Sequence, residues 1–566
     1  MKALTDSLAG RLLLVALLVV LAVPLLTRSR TPKIDQGPNW TEAARNDFYT
    51  RDQGSRIMPL AWMQALKQPN GEPFLADSLS RYGYLPNASS PTPGLPVGFV
   101  AAGPAGSESI GMTCSACHTR EIDVGGKWYR IDGGPAIVDF QTFLADLDTS
   151  VHAVLTSDAA FGDFARAVLG PPPTRLDQAS LRDAVNLWYL RYHTLMEKAL
   201  PKPAWGPSRL DAVAMIFNRL TGLDIGQPPS HLIADNIKPA AAPVRYPFLW
   251  NSPLQDWTQW PGFAANGNDE LGLARNLGEV YGVFADFHPR KDPSSPLQVD
   301  YLTNNSANFE GLGALEGLVR KLGPPKWPFA IDRVLADRGK TIYERTAAQG
   351  GCADCHGIRP GNPAPPYQTW ATPVLDVGTD SREWDILQFA VKTGELNGAP
   401  DFSQSPPQPL HPVDAAFRVL ATSVVGSIAQ QLRPAPSAQA SGASLNSPQM
   451  VSVKGAFRTA APSGFVYESR VLQGIWAAAP YLHNGSVPTL AELLKPDTKR
   501  VSSFKVGPIY DIVQVGLAVE QRKFDYTLQT TDCSDRNSGN SRCGHNYGTG
   551  LPEEDKRALL EYLKTL

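Results

Sequence analysis

Apolar residues fall at helical spacing in three stretches of this chain of 566 residues. From Leu181 to Leu200 they recur every three or four positions, the pattern of one buried helix face. Ile331 to Tyr343 repeats it. At the C-terminus Leu559, Leu560, Leu563 and Leu566 form an apolar stripe. Pro552 precedes that stripe, and Glu553, Glu554 and Asp555 fill the first turn, where proline and negative charge favour a helix start. Alternating strand patterns are sparse, so the predicted fold is mainly α. A fourth apolar run, Leu12 to Leu26, contains no charge and follows Lys2 and Arg11. This is the layout of an export signal. The run is short for a span of about 20 residues. No clear small-x-small cleavage site follows it, and Arg28, Arg30 and Lys33 come soon after, so an uncleaved anchor is the preferred reading. The expected location is periplasmic or secreted, with residues 12–26 as an inner-membrane anchor.

Proline-rich breaks at Pro171–Pro173, Pro201 to Pro207 and Pro239 to Pro247 punctuate the first half. Gly323-Pro324-Pro325 marks the expected domain boundary, giving segments 1–33, 34–325 and 326–566. Residues 433–444 are low in complexity and read as a flexible loop.

Composition adds compartment and class. Hydrophobic residues make up 43% and charged residues 19%, as in a globular core rather than a disordered chain. A net charge of -2 gives no reason to expect a nucleic-acid partner. The 48 glycines and 50 prolines predict many fixed turns and extensive loops. Of six cysteines, Cys533 and Cys543 lie in a polar loop, and an exported chain would join them as a disulfide.

The other four cysteines carry the chemistry. Cys114-Ser115-Ala116-Cys117-His118 and Cys352-Ala353-Asp354-Cys355-His356 are both C-x-x-C-H, the pattern of covalent c-type haem attachment. Two thiols at this spacing add to the two vinyl groups of one haem, and the adjacent histidine becomes a ligand of its iron. A lone copy also fits a redox dithiol or half a zinc site, but no further Cys or His pair stands at zinc spacing. Two covalent haems are therefore expected, with His118 and His356 as metal ligands and one haem on each side of residue 325.

The second ligand decides the job of each iron. For the His356 haem the candidates are His545, His483 and Met450. His545 is preferred, because Gly544 and Gly548 let the backbone approach closely and the Cys533–Cys543 disulfide would tie the loop down. His483 is expected near a propionate instead. For the His118 haem no histidine follows closely. His152, His193, His231 and His288 are the next along the chain, and an open position is expected. That favours an enzyme activating oxygen or peroxide, with a hydrophobic olefin or a protein side chain as further substrate classes. The alternative is a non-catalytic dihaem electron-transfer cytochrome that docks a redox-protein partner.

Three stretches carry a resemblance: Ile475 to Ser486, Gly539 to Gly548, and Asp256-Trp257-Thr258-Gln259-Trp260 followed by Arg275 to Val280. They resemble the bacterial dihaem cytochrome c peroxidase superfamily, and within it the rubber-oxygenase-like branch, from about residue 50 to the end. The resemblance implies two cytochrome c-like haem domains, with Trp260 passing electrons between the haems and Glu279 handling protons beside the N-terminal haem. It also implies His545 as the tail ligand of the other haem. Phe248, Trp250, Trp257 and Phe263 are expected to wall the pocket. Peroxidases of the superfamily commonly place a displaceable histidine shortly after the first motif, where this chain has Gly133-Gly134.

Overall fold

A computed structural model describes residues 31–566 apart from 171, 365–366, 403, 405, 433–455 and 458–464. The expected export segment, the low-complexity loop and Met450 lie outside the described residues. Among the described residues no helix is long and apolar enough to cross a membrane.

The longer helices are α1 (Glu42–Thr50), α2 (Phe140–Leu155), α3 (Asp158–Leu169), α4 (Arg175–Ala199), α5 (Asp269–Gly282), α6 (Phe309–Lys321), α7 (Arg333–Tyr343), α8 (Ala416–Gln431) and α9 (Glu553–Leu563). Helix outweighs strand, 38% to 16%. The three helices read from periodicity are α4, α7 and α9. α4 begins earlier than its apolar pattern, because Thr174 and Asp177 form a reciprocal capping box that starts the helix in a polar segment. α5 and α6 start on Asn268 and Asn308, whose side chains accept from the N–H groups of Leu271 and Gly311.

Strands are more numerous than the sparse alternation predicts. They are two to six residues long and pair mostly as isolated antiparallel ladders. Strands of that length hold too few positions to show a period of two. The longest ladder pairs Thr119–Val124 with Lys127–Asp132, directly after the first C-x-x-C-H motif.

Two clusters of buried apolar residues form the core. One gathers residues such as Phe99, Phe143, Leu195, Leu277 and Val424, and the other Trp250, Trp476, Tyr481, Val515 and Leu559. Both draw on either side of Gly323-Pro324-Pro325. α7 and α9 pack closely, with the backbone of Ala558 so near Gly339 that a Cβ there would collide with it. Arg338 ties the pair by donating to Asp555 at 3.0 Å.

Cys533 and Cys543 form a disulfide with Cα atoms 5.0 Å apart. Closing so short a loop is worth roughly 2–3 kcal/mol in the chain-entropy account. Replacing both cysteines by serine is expected to lower the urea midpoint accordingly. An unchanged midpoint would assign the loop's closure to its hydrogen bonds.

Candidate functional site

Cys114–Cys117 is one helical turn between the strand Ser109–Met112 and the hairpin that follows. The chain then wraps the motif: Gly133 N–H donates to the His118 carbonyl at 2.7 Å, and Ala136 N–H to that of Cys117 at 2.9 Å. His118 Nδ1 lies 2.8 Å from the carbonyl oxygen of Pro247. A carbonyl only accepts, so Nδ1 carries the proton and Nε2 keeps its lone pair. Burial pushes the His118 pKa down to about 4, so the ring is neutral at pH 7. The cavity beside Cys114 has about 570 Å³ of space, part of it open to solvent. Its walls mix apolar Phe248, Leu315 and Val319 with Gln259, Arg275, Glu279 and Glu316.

The second motif is built the same way. α7 leads into it, Cys352 N–H donates to the Tyr343 carbonyl at 2.9 Å, and Tyr343 Oη donates to the His356 carbonyl at 3.0 Å. His356 Nδ1 donates to the Arg470 carbonyl at 2.7 Å, which again leaves Nε2 as the free acceptor. The adjoining cavity holds about 1250 Å³, part of it open to solvent. Cys352, Cys355, His356 and His545 line it with Leu472, Ile475, Leu490 and Leu559. The rings of His356 and His545 stand 6.1 Å apart between centroids. His545 Nδ1 is buried without a hydrogen-bond partner, and burial together with neighbouring His356 and Arg500 pushes its pKa down to about 3.

Trp260 stands between the two cavities, and with Phe248, Glu468 and Arg470 it lines both. Its indole N–H donates to the Arg245 carbonyl at 3.1 Å, and the Arg245 guanidinium lies 4.7 Å from its ring. The preceding residue, Gln259, donates to Glu279 at 2.7 Å. One short hairpin, Trp257–Thr258 with Ala264–Ala265, thus presents both Gln259 and Trp260. Burial raises the Glu279 pKa, against opposing pulls from Arg275 and Gln259.

His483 also lines the second cavity, stacked on Tyr467 with ring centroids 3.8 Å apart. His152 and His193 are held by Tyr189 and Asp148 on α2 and α4, and His231 stacks on His288; none of the four lines either cavity. Of the aromatics expected to wall the pocket, Phe248 does so. Trp250 backs it in a stack at 4.8 Å, Phe263 packs on Phe417, and Trp257 faces neither cavity.

Sequence reasoning missed Arg245, Arg470, Glu468 and Gln259. Arg245 is buried, donates to the carbonyls of Leu482 and Tyr246, and among the described residues has no carboxylate within ion-pair distance. Burial pushes its pKa down to about 9. Arg470 is buried too, its Nε 3.8 Å from Glu468 in an ion pair but without a hydrogen bond, while burial lifts the Glu468 pKa to about 7. A buried arginine is a weak signal in sequence, because nothing local distinguishes it from an exposed one.

Residues 466–505 match the family model described as "RoxA-like, cytochrome c-like". The chain is 29% identical over 603 residues to "Uncharacterized protein y4iJ" of Sinorhizobium fredii (strain NBRC 101917 / NGR234), covering 94% of each. It is 26% identical over 399 residues to "Uncharacterized protein y4iM" of the same organism, covering 66% of this chain and 75% of that one. The family match points to a c-type cytochrome, and so to haem.

The residues present fit that group. Two imidazoles bound to one metal atom at about 2 Å have ring centres about 6 Å apart, the spacing of His356 and His545. Burial raises the thiol pKa of all four motif cysteines, Cys117 and Cys352 up to about 12. A buried cation without counter-charge is costly, and a haem propionate would supply what Arg245 lacks and add to Glu468 beside Arg470. Among the described residues one cluster of three ligating groups is close enough for a metal, Asp497 with Cys533 and Cys543, and its two cysteines are spent in the disulfide.

Proposed function

We propose that this chain is an exported dihaem oxidoreductase in which the Cys114–His118 haem activates peroxide or oxygen and the Cys352–His356 haem relays electrons. The observation that carries the reading is the asymmetry of the two cavities. An imidazole, His545, faces His356 across the second, whereas among the described residues the walls of the first hold carboxylate, amide and guanidinium groups and no histidine or methionine. Cys114, Cys117 and His118 would hold one haem, and Cys352, Cys355, His356 and His545 the other. When bound, a haem with a vacant iron position supplies oxidant binding and reduction, and one with two histidines supplies electron transfer.

The chain's own residues do the rest. Glu279 accepts a proton from the incoming oxidant and returns it to the departing oxygen, and Gln259 holds that carboxylate in place. Arg275 and Glu316 keep the surroundings polar. Trp260 offers an aromatic bridge between the cavities. These groups suit a small polar oxidant better than an olefin chain, so peroxide is the preferred substrate and polyisoprene cleavage is not. The Cys533–Cys543 disulfide supports an oxidising compartment.

Carbon monoxide titration of the fully reduced protein tests the reading. One equivalent per two haems is the expected result. No binding would replace it with a purely electron-transferring cytochrome and a redox-protein partner.

A further inference from the structure

His545 does not hold its own position. Its backbone φ is +52°, a left-handed conformation that is unfavourable for a non-glycine residue. Such a residue persists only where its surroundings over-determine it. Gly544 before it, at φ +77°, is pressed so closely onto Gly378 that a side chain there would collide.

The surroundings that determine it come from one short turn, Asp497–Lys499, and the residue that ends it, Arg500. Asp497 Oδ2 accepts from the N–H of Gly544 at 3.0 Å and from Asn546 Nδ2 at 2.8 Å, so one oxygen grips both neighbours of His545. Asn546 Oδ1 accepts in return from Asp497 N–H at 3.0 Å. The same carboxylate oxygen lies 3.3 and 3.7 Å from the two disulfide sulfurs. Arg500, buried, donates to the carbonyls of Arg542 and Gly544 at 2.7 Å each and of His545 at 3.1 Å. Beyond this turn, His545 N–H donates to the Val377 carbonyl at 2.8 Å.

We propose that Asp497, with Arg500, is the positioning residue that fixes His545 as the second ligand of the Cys352–His356 haem. Neither side chain lines the haem cavity, so each acts through the backbone on either side of the imidazole. The disulfide closes the loop, but the carboxylate sets which way its tip points. Without it, the left-handed conformation at residue 545 relaxes and the ring withdraws. The proposal rests on the reading of His545 as that ligand.

The test uses the full-length dihaem protein, followed by absorption spectroscopy and carbon monoxide titration. Asp497→Ala is expected to turn one haem from low-spin to high-spin and to raise carbon monoxide uptake from one equivalent to two. Asp497→Asn keeps an oxygen that accepts from Gly544 and Asn546, and is expected to retain the parental spectrum. A merely structural role would lower the melting temperature without changing spin state. Should Asp497→Ala yield no soluble protein, Asn546→Ala removes one arm of the grip from an exposed side chain and is expected to give a mixed-spin spectrum. A low-spin spectrum with one equivalent of carbon monoxide in every such variant overturns the proposal. His545→Ala separates the two layers. If it too stays low-spin, the ligand reading falls with the proposal; if it turns high-spin while the clamp variants do not, the clamp alone falls.

Discussion

Glu279→Gln is expected to lower peroxide turnover by roughly 10²–10⁴-fold, the usual contribution of a positioned general acid–base group. The glutamine keeps the shape and the hydrogen bond to Gln259 but cannot carry a proton between oxygens. Both haem spectra should survive, because Glu279 is no part of either motif. The pH profile is the more discriminating measurement. Burial raises the Glu279 pKa above the usual carboxylate value. As a base, Glu279 works in its ionised form, so activity is present above the raised pKa and is lost as pH falls through it. The acid limb should therefore lie higher than an exposed glutamate would place it. That limb should vanish in Glu279→Gln. An acid limb unchanged in position, or a turnover unchanged in size, would remove Glu279 from the reaction.

Trp260→Phe is expected to slow electron exchange between the haems several-fold or more, with both haem spectra unchanged. The indole lines both cavities, so it is a side chain through which the two sites share a wall. Phenylalanine keeps an aromatic body and loses two features. One is the indole N–H that donates to the Arg245 carbonyl, and the other is the larger, electron-rich face beneath the Arg245 guanidinium. Flash-induced or stopped-flow reduction, monitored at each haem, reads the exchange rate. An unchanged rate would assign transfer to another route, with Phe248 as the next wall residue to replace.

The two histidines of the second cavity illustrate what local sequence carries. His356 follows its cysteines directly, so the C-x-x-C-H pattern alone is enough to expect it as a ligand. His545 lies far along the chain, where glycine neighbours and a nearby cysteine pair point to it only indirectly. The structure brings it 6.1 Å from His356 by means that no spacing rule encodes: a turn at Asp497–Lys499, a buried arginine and a packed glycine pair. The cavity arginines were invisible for the same reason. Their meaning comes from what surrounds them, and those neighbours arrive from segments hundreds of residues away: Arg245, for instance, donates to Leu482.

Short-range sequence is enough for the α4, α7 and α9 helices, for the two C-x-x-C-H motifs as patterns, and for the Cys533–Cys543 pairing. These depend on short-range periodicity, on fixed covalent spacing, or on two cysteines close in the chain. The tertiary structure decided the short strand ladders, the polar walls beside Cys114, the placing of Trp260 between two cavities, and the grip on His545. Each of those depends on side chains distant in sequence meeting in a buried place, where desolvation makes every unpaired charge or polar group costly and so selects its partners.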